Sequence, residues 1–307
     1  MRCLVTGASG HLGSFLTQRL INEGWIVTVL VRYESDLSRL ADVLNQVVIV
    51  RANLSSVSEA AQAIKNAEPE VVFHLAWEGV TSEFKNAPLQ TEENVSGSLK
   101  LLEIAREAGC KHWIGMGSQA EYGTYDDVLT EDTPTNPLTA YGAGKLSVGL
   151  KTRSFCERYG IGYTWVRLLA TYGPMDDERH LIPSVILQLL KGRRPRLTSG
   201  EQRWDYLYVT DAAEATYQLA ANGAQGVFNV GSGKSYSVRG ILERIRDLID
   251  PSLELGFGDL DYTEDQIMRL ATSIDALRRA TGWTPRVDLD EGLTQTVDWY
   301  RTRESEE

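Results

Sequence analysis

The segment Thr6-Gly-Ala-Ser-Gly-His-Leu-Gly13 constrains this chain more than any other. It follows a short apolar run, Met1 to Thr6, that reads as a buried strand. It opens a stretch from His11 to Gly24 with Leu12, Phe15, Leu16 and Leu20 at helical spacing. Glycines at 7, 10 and 13 let the chain turn sharply and let a ligand approach the backbone closely. The following helix adds free N–H groups and the positive end of its dipole. A strand, a glycine loop and a helix in that order suit a dinucleotide pyrophosphate, with Gly7, Ser9, Gly10, His11, Leu12 and Gly13 around it.

The same alternation continues along the chain. Strands are expected at 25–32, 46–51, 71–75, 111–116 and 162–168, and helices at 57–67, 92–108 and 141–159. That is the pattern of βαβ units, hence an α/β doubly wound parallel sheet. After residue 168 the regularity loosens. Helices are expected at 182–191, 238–249, 275–281 and 291–302, with a strand at 227–230 and a frayed, charged tail at 304–307. The chain therefore divides into a dinucleotide-binding domain, 1–172, to which part of 203–235 returns, and a smaller mixed α/β substrate lobe in 173–307.

Composition narrows the function by exclusion. A formal net charge of -11 argues against a nucleic-acid binder or an anionic-membrane binder. Arg32, Arg167, Arg203 and Arg269 are the cations to consider for an anionic substrate. Cys3, Cys110 and Cys156 are far apart and odd in number, which suits buried small hydrophobes rather than a disulfide framework. His11, His74, His112 and His180 show no metal-ligand spacing, so no metal is expected. No leader-like segment and no apolar run of roughly 18 residues is visible, so a cytoplasmic protein with no membrane contact is the expectation.

The GxxGxxG spacing resembles the loop of the extended short-chain dehydrogenase family, the Rossmann-type enzymes that include nucleotide-sugar epimerases, dehydratases and ketoreductases. The resemblance implies further cofactor contacts from Leu54, Leu75, Ala76, Trp77, Asn94 and Leu168, and from Asn53, which stands where the family often has an aspartate near the adenine. Trp77 replaces the commoner small residue there. The second strand ends in Arg32 rather than in the carboxylate that accepts from an NAD ribose. An arginine at that place can pair with a 2′-phosphate, so NADP(H) is favoured over NAD(H).

Tyr141-Gly-Ala-Gly-Lys145 puts a phenol and an ammonium on one helical face, where the ammonium would lower the tyrosine from its usual value of about 10. Upstream, Gly115-Met-Gly-Ser-Gln-Ala-Glu-Tyr-Gly123 ends a strand where doubly wound sheets bind ligands. By resemblance its Ser118 is the third member of a catalytic set with Tyr141 and Lys145, and Tyr141 and Lys145 also contact the cofactor, Lys145 holding the nicotinamide ribose. In the family's 4,6-dehydratases this position is followed by Asp-Glu. Here Gln119 and Ala120 follow, and alanine cannot transfer a proton.

On the substrate side the resemblance implicates Trp77, Ser118, Gln119, Ala170, His180, Arg203 and Arg269. Ala170 takes the place of the family's usual asparagine, and Trp204 interrupts the family's Arg-Asp pair beside Arg203. The reading implied is NADP(H)-dependent reduction of a 4-keto nucleoside-diphosphate sugar. A 4-epimerase with bound NAD, a noncatalytic dinucleotide sensor and a ketone outside sugar chemistry stay open. The family's dimers, which pair the helices at 92–108 and 141–159, imply a homodimer.

Overall fold

The computed structural model describes all of residues 1–307 except Thr81, Glu264, Asp265 and Glu307. Its first part alternates strictly: β1 (Arg2–Thr6), α1 (His11–Asn22), β2 (Ile26–Val31), β3 (Val47–Arg51), α2 (Ala61–Ala67), β4 (Val71–His74), α3 (Glu93–Glu107), β5 (His112–Ser118), α4 (Ala140–Tyr159) and β6 (Gly162–Leu168). The rest runs β7 (Ala170–Tyr172), α5 (Leu181–Leu190), β8 (Arg196–Leu197), β9 (Arg203–Tyr208), α6 (Val209–Ala221), β10 (Gly226–Val230), β11 (Ser235–Ser237), α7 (Val238–Ile249), β12 (Gly256–Phe257), β13 (Arg269–Leu270), α8 (Asp275–Thr281) and α9 (Leu289–Glu306).

Seven strands form a parallel sheet in the order β10-β6-β5-β4-β1-β2-β3. Both faces are covered, so successive strand residues enter opposite cores. Cys3 and Val5 pack with α1 and α6 on one face, while Leu4 packs with α2 and α3 on the other. The chain order reverses between β1 and β4, which opens a crevice at the strands' carboxyl ends. A third core, built from α5, α7, α9 and the inner face of β9, carries the smaller lobe. Burial pushes the thiols of Cys3, Cys110 and Cys156 up to about 12, so they pack as apolar groups.

Three features depart from the sequence reading. The expected helix at 57–67 begins as a 3-10 turn over Leu54–Ala60, bent at Ser56, before α2. The tail stays helical to Glu306; Glu307 lies outside the described residues. The helix α6 and the strands β7, β8, β9, β11, β12 and β13 were not expected. The buried face of α6 mixes alanines (Ala212, Ala213, Ala215 and Ala220) with polar Asp211 and Thr216, so its 3.6-residue period carries little contrast in the sequence. Among the described residues no helix is long and apolar enough to cross a membrane.

Candidate active site

A cavity of about 410 Å³ opens at the carboxyl ends of the parallel strands. Its floor is the glycine loop. Gly7 has φ 70°, and a Cβ there would lie 2.8 Å from Ala76 N; at Gly13 it would lie 2.1 Å from the Gly7 carbonyl oxygen. Neither position accepts a side chain, which keeps the loop tight against β4 and α1. The Gly10 N–H donates to the Gly7 carbonyl at 3.0 Å, and α1 starts with no side-chain cap, so its first-turn amides have no side-chain acceptor. Gly7, Ser9, Gly10, His11, Leu12 and Gly13 all line the cavity. His11 Nε2 bonds the Pro174 carbonyl at 3.0 Å and its Nδ1 lies 3.3 Å from Asp176.

The far end of the cavity is bounded by Arg32, Ser35, Ala52 and Leu54. Arg32 is exposed, and its side chain makes a 3.4 Å surface pair with Glu34, a contact of small energetic weight. Asn53 lies beside this wall, and its buried Oδ1 has no hydrogen-bond partner among the described residues. An orphaned acceptor, a glycine floor and an uncapped helix start fit a dinucleotide whose amine donor, phosphates and ribose would occupy this length. Sequence reasoning missed Arg39, whose Nε donates to the Met175 carbonyl at 2.8 Å and whose Nη1 donates to the Ser9 carbonyl at 3.3 Å. Its one signal was a second arginine seven positions after Arg32.

Leu75, Ala76 and Trp77 line the cavity where the chain leaves β4, and Leu168 lines it at the end of β6. Asn94 does not. Both of its amide N–H groups go to the carbonyls of Glu78 and Leu89, at 3.0 and 3.2 Å, and its oxygen accepts the Glu78 N–H at 2.8 Å. It braces the segment after Trp77 from the start of α3. Glu78, which the sequence reading passed over, lines the cavity beside it.

Ser118, Tyr141 and Lys145 meet at the opposite end of the cavity. Ser118 ends β5, and Thr139 caps α4 by accepting the Gly142 N–H at 3.1 Å, which starts the helix one residue ahead of Tyr141. The Ser118 hydroxyl accepts the Ala120 N–H at 3.1 Å. Burial pushes the Tyr141 phenol up, opposed by the neighbouring Ser118 hydroxyl. This differs from the sequence expectation of a phenol lowered by its lysine, and the reason is geometric. The Lys145 ammonium donates to the Met116 carbonyl at 2.8 Å, sits 4.0 Å from the centre of the Trp77 ring, and is 5.9 Å from the centre of the Tyr141 ring. Burial pushes that ammonium down to about 7, opposed by the nearby Glu121 carboxylate. His74 is a satisfied core residue, bonded to Thr6 at 2.9 Å and Ser98 at 2.8 Å, and burial holds it down at about 3.

The substrate-side candidates scatter. Trp77 and Ser118 line the cavity. Gln119 stands beside Ser118 with a buried Oε1 that has no partner among the described residues. Ala170 lies on β7, opposite Tyr206, outside the cavity lining. His180 precedes α5 and bonds Asp176 at 2.9 Å, which raises its basicity. Arg203 and Arg269 are register partners on β9 and β13, both exposed, with Arg203 donating to the Ser235 carbonyl at 2.9 Å. Side chains alternate along a strand, so the turning out of Arg203 puts Trp204 on the inner face, packed with Tyr122, Leu129, Leu169 and Leu270. Arg167 is spent on a buried ion pair with Glu121 at 2.9 Å. Among the described residues no group of three or more His, Cys, Asp or Glu could hold a metal ion.

Residues 3–231 match the family described as NAD dependent epimerase/dehydratase. The chain belongs to that family. A dTDP-glucose 4,6-dehydratase of Mycobacterium tuberculosis is 31% identical over 99% of this chain and 95% of its own length. Among solved structures, the UDP-N-acetylglucosamine 4-epimerase of Methanobrevibacter ruminantium, in complex with UDP-N-acetylmuramic acid, superposes with a TM-score of 0.90 at 28% identity, over 98% of both chains. The Thermus thermophilus UDP-glucose 4-epimerase complex with NAD gives 0.88 at 27% identity, over 98% of this chain and 99% of that one. This epimerase/dehydratase family member is thus an oxidoreductase-type enzyme of the nucleotide-sugar class that uses a nicotinamide dinucleotide, with a Rossmann-type sheet and a C-terminal lobe.

Proposed function

We propose that the chain reduces a 4-keto nucleoside-diphosphate sugar with NADPH. The observation that carries this reading is the meeting of Ser118, Tyr141 and Lys145 at one end of the cavity, with Ala120 rather than an acid or base beside them. A bound nicotinamide dinucleotide supplies the hydride. The glycine loop and the first-turn amides of α1 bind its pyrophosphate, Asn53 Oδ1 accepts from the adenine amine, and Arg32 pairs with the 2′-phosphate. Ser118 orients the sugar carbonyl oxygen, and Tyr141 Oη gives that oxygen its proton. Lys145, which spends one donor on the Met116 carbonyl, keeps spare donors for the ribose. Gln119 offers its orphaned oxygen to a sugar hydroxyl, and Trp77 offers an aromatic wall.

Tyr141→Phe removes the proton donor while leaving the ring in place. A fall of about 10²- to 10⁴-fold in kcat is expected, with dinucleotide affinity retained; normal turnover would overturn the assignment. A second reading, 4-epimerisation with a retained NAD, is favoured by the two epimerase neighbours, one of them in complex with NAD. Ser118, Tyr141 and Lys145 serve it equally, since it oxidises and re-reduces the same carbon.

A further inference from the structure

Directly beneath the reactive strand end lies a buried ion pair that the scheme above leaves unused. Glu121 is fully excluded from solvent and Arg167 is 7% exposed. Arg167 Nε donates to Glu121 Oε2 at 2.9 Å. Oε1 of the same carboxylate accepts the Ser118 backbone N–H at 2.9 Å and the Trp165 indole N–H at 3.0 Å. Burial pushes the carboxyl up, yet each of these neighbours is a donor, so the acceptor-only ionised form is the one that fits. Space for it comes from Gly117, where a Cβ would stand 2.3 Å from Glu121 Oε1. Arg167 is fixed in turn. Its Nη1 donates to the Glu131 carbonyl at 3.4 Å, and its guanidinium lies 4.5 Å from the centre of the Tyr122 ring. Tyr122 donates to Asn229 at 2.7 Å.

A buried ion pair is a weak device for stability, because two apolar residues of like volume usually serve as well. This one does something an apolar pair cannot. It holds the Ser118 amide while the Ser118 hydroxyl accepts from Ala120, which leaves the hydroxyl hydrogen free for the sugar carbonyl oxygen. Its charge also reaches the other two members, favouring the protonated forms of both Tyr141 and Lys145.

We propose that Glu121, ionised against Arg167, is a positioning residue that fixes Ser118 through its backbone N–H. The inference rests on the assignment of those three residues to the chemistry. Two double variants test it. E121L/R167M replaces the ion pair by an apolar pair of similar bulk and removes the acceptor under Ser118. E121Q/R167M removes the charges but keeps an acceptor there. In the first, kcat should fall about tenfold or more, with dinucleotide affinity unchanged. The second should recover part of that loss, while the basic limb of its kcat–pH profile stays displaced to lower pH.

Lys145 titration, followed by ¹⁵N NMR of the Nζ and assigned with K145M, should move to lower pH in both double variants. A folded E121L/R167M with wild-type kcat would overturn the proposal. If that variant does not fold, E121Q/R167M decides: a pH profile and a Lys145 midpoint that coincide with wild type would show Glu121 uncharged and contradict it. The NMR titration needs no substrate. Inactivity of the wild type toward every nucleotide sugar would therefore count against the functional reading alone.

Discussion

The Lys145 ammonium lies 4.0 Å from the centre of the Trp77 indole and is 3% exposed. Its charge is therefore held by one carbonyl and an aromatic face rather than by water, and burial moves its proton affinity down to about 7.

This lysine should leave a mark on stability. The folded chain releases the Lys145 proton near pH 7, whereas the unfolded chain keeps it until about 10.5. Between those values the unfolded state binds more protons, so stability rises with pH; below pH 7 both states are protonated and the cost of burial is present in full. Urea unfolding of wild type and K145M from pH 6 to 10 measures this. Wild-type stability relative to K145M should climb above pH 7. A flat difference would show that Lys145 titrates at an ordinary value and a falling one that it titrates above it, and either would contradict the lowered value.

Trp77 should matter through its partner as well as its ring. Its Nε1 donates to Gln90 Oε1 at 2.6 Å, and Gln90 is fully buried. Trp77→Phe leaves that oxygen without a donor and should cost about 1–3 kcal/mol. The double variant W77F/Q90L should not recover the loss in denaturant midpoints, because Gln90 Nε2 also donates to the Gly79 and Phe84 carbonyls at 2.6 and 3.0 Å and Q90L leaves both without that donor. Equal midpoints for wild type and W77F would exclude the bond as a contributor.

Arg32 and Arg39 should separate in their effects. Arg32→Ala removes a charge at the end of β2 and should weaken NADPH binding by roughly 10- to 100-fold while leaving NADH nearly unchanged. Arg39 ties the glycine loop to Met175 through two backbone carbonyls, so Arg39→Ala should weaken both dinucleotides alike. Calorimetric titration of each variant with each dinucleotide distinguishes the two roles. An unchanged NADPH affinity in Arg32→Ala would withdraw the preference for the phosphorylated cofactor.

What the sequence made legible was local. Gly7, Gly10 and Gly13 stand in a strand–loop–helix context that any βαβ unit repeats, and Tyr141 and Lys145 share a helix face by spacing alone. What escaped depended on distant partners. Arg167 reads as a free cation until the fold brings Glu121, 46 positions earlier, against it. Asn94 reads as a cofactor contact until Glu78 and Leu89 take up its amide. Arg203 reads as a diphosphate ligand, but a one-residue offset along β9 gives the inner face to Trp204. The helix α6 escaped because alanines and buried polar residues hide its period.

The most direct test of the account is cofactor stoichiometry. Purified protein, NADPH and a panel of 4-keto nucleoside-diphosphate sugars should give one NADPH oxidised for each ketone consumed, with turnover lost in Tyr141→Phe. Interconversion of a nucleotide sugar and its 4-epimer, with no net oxidation of added NADPH, would contradict the reductase reading and establish the epimerase one in its place.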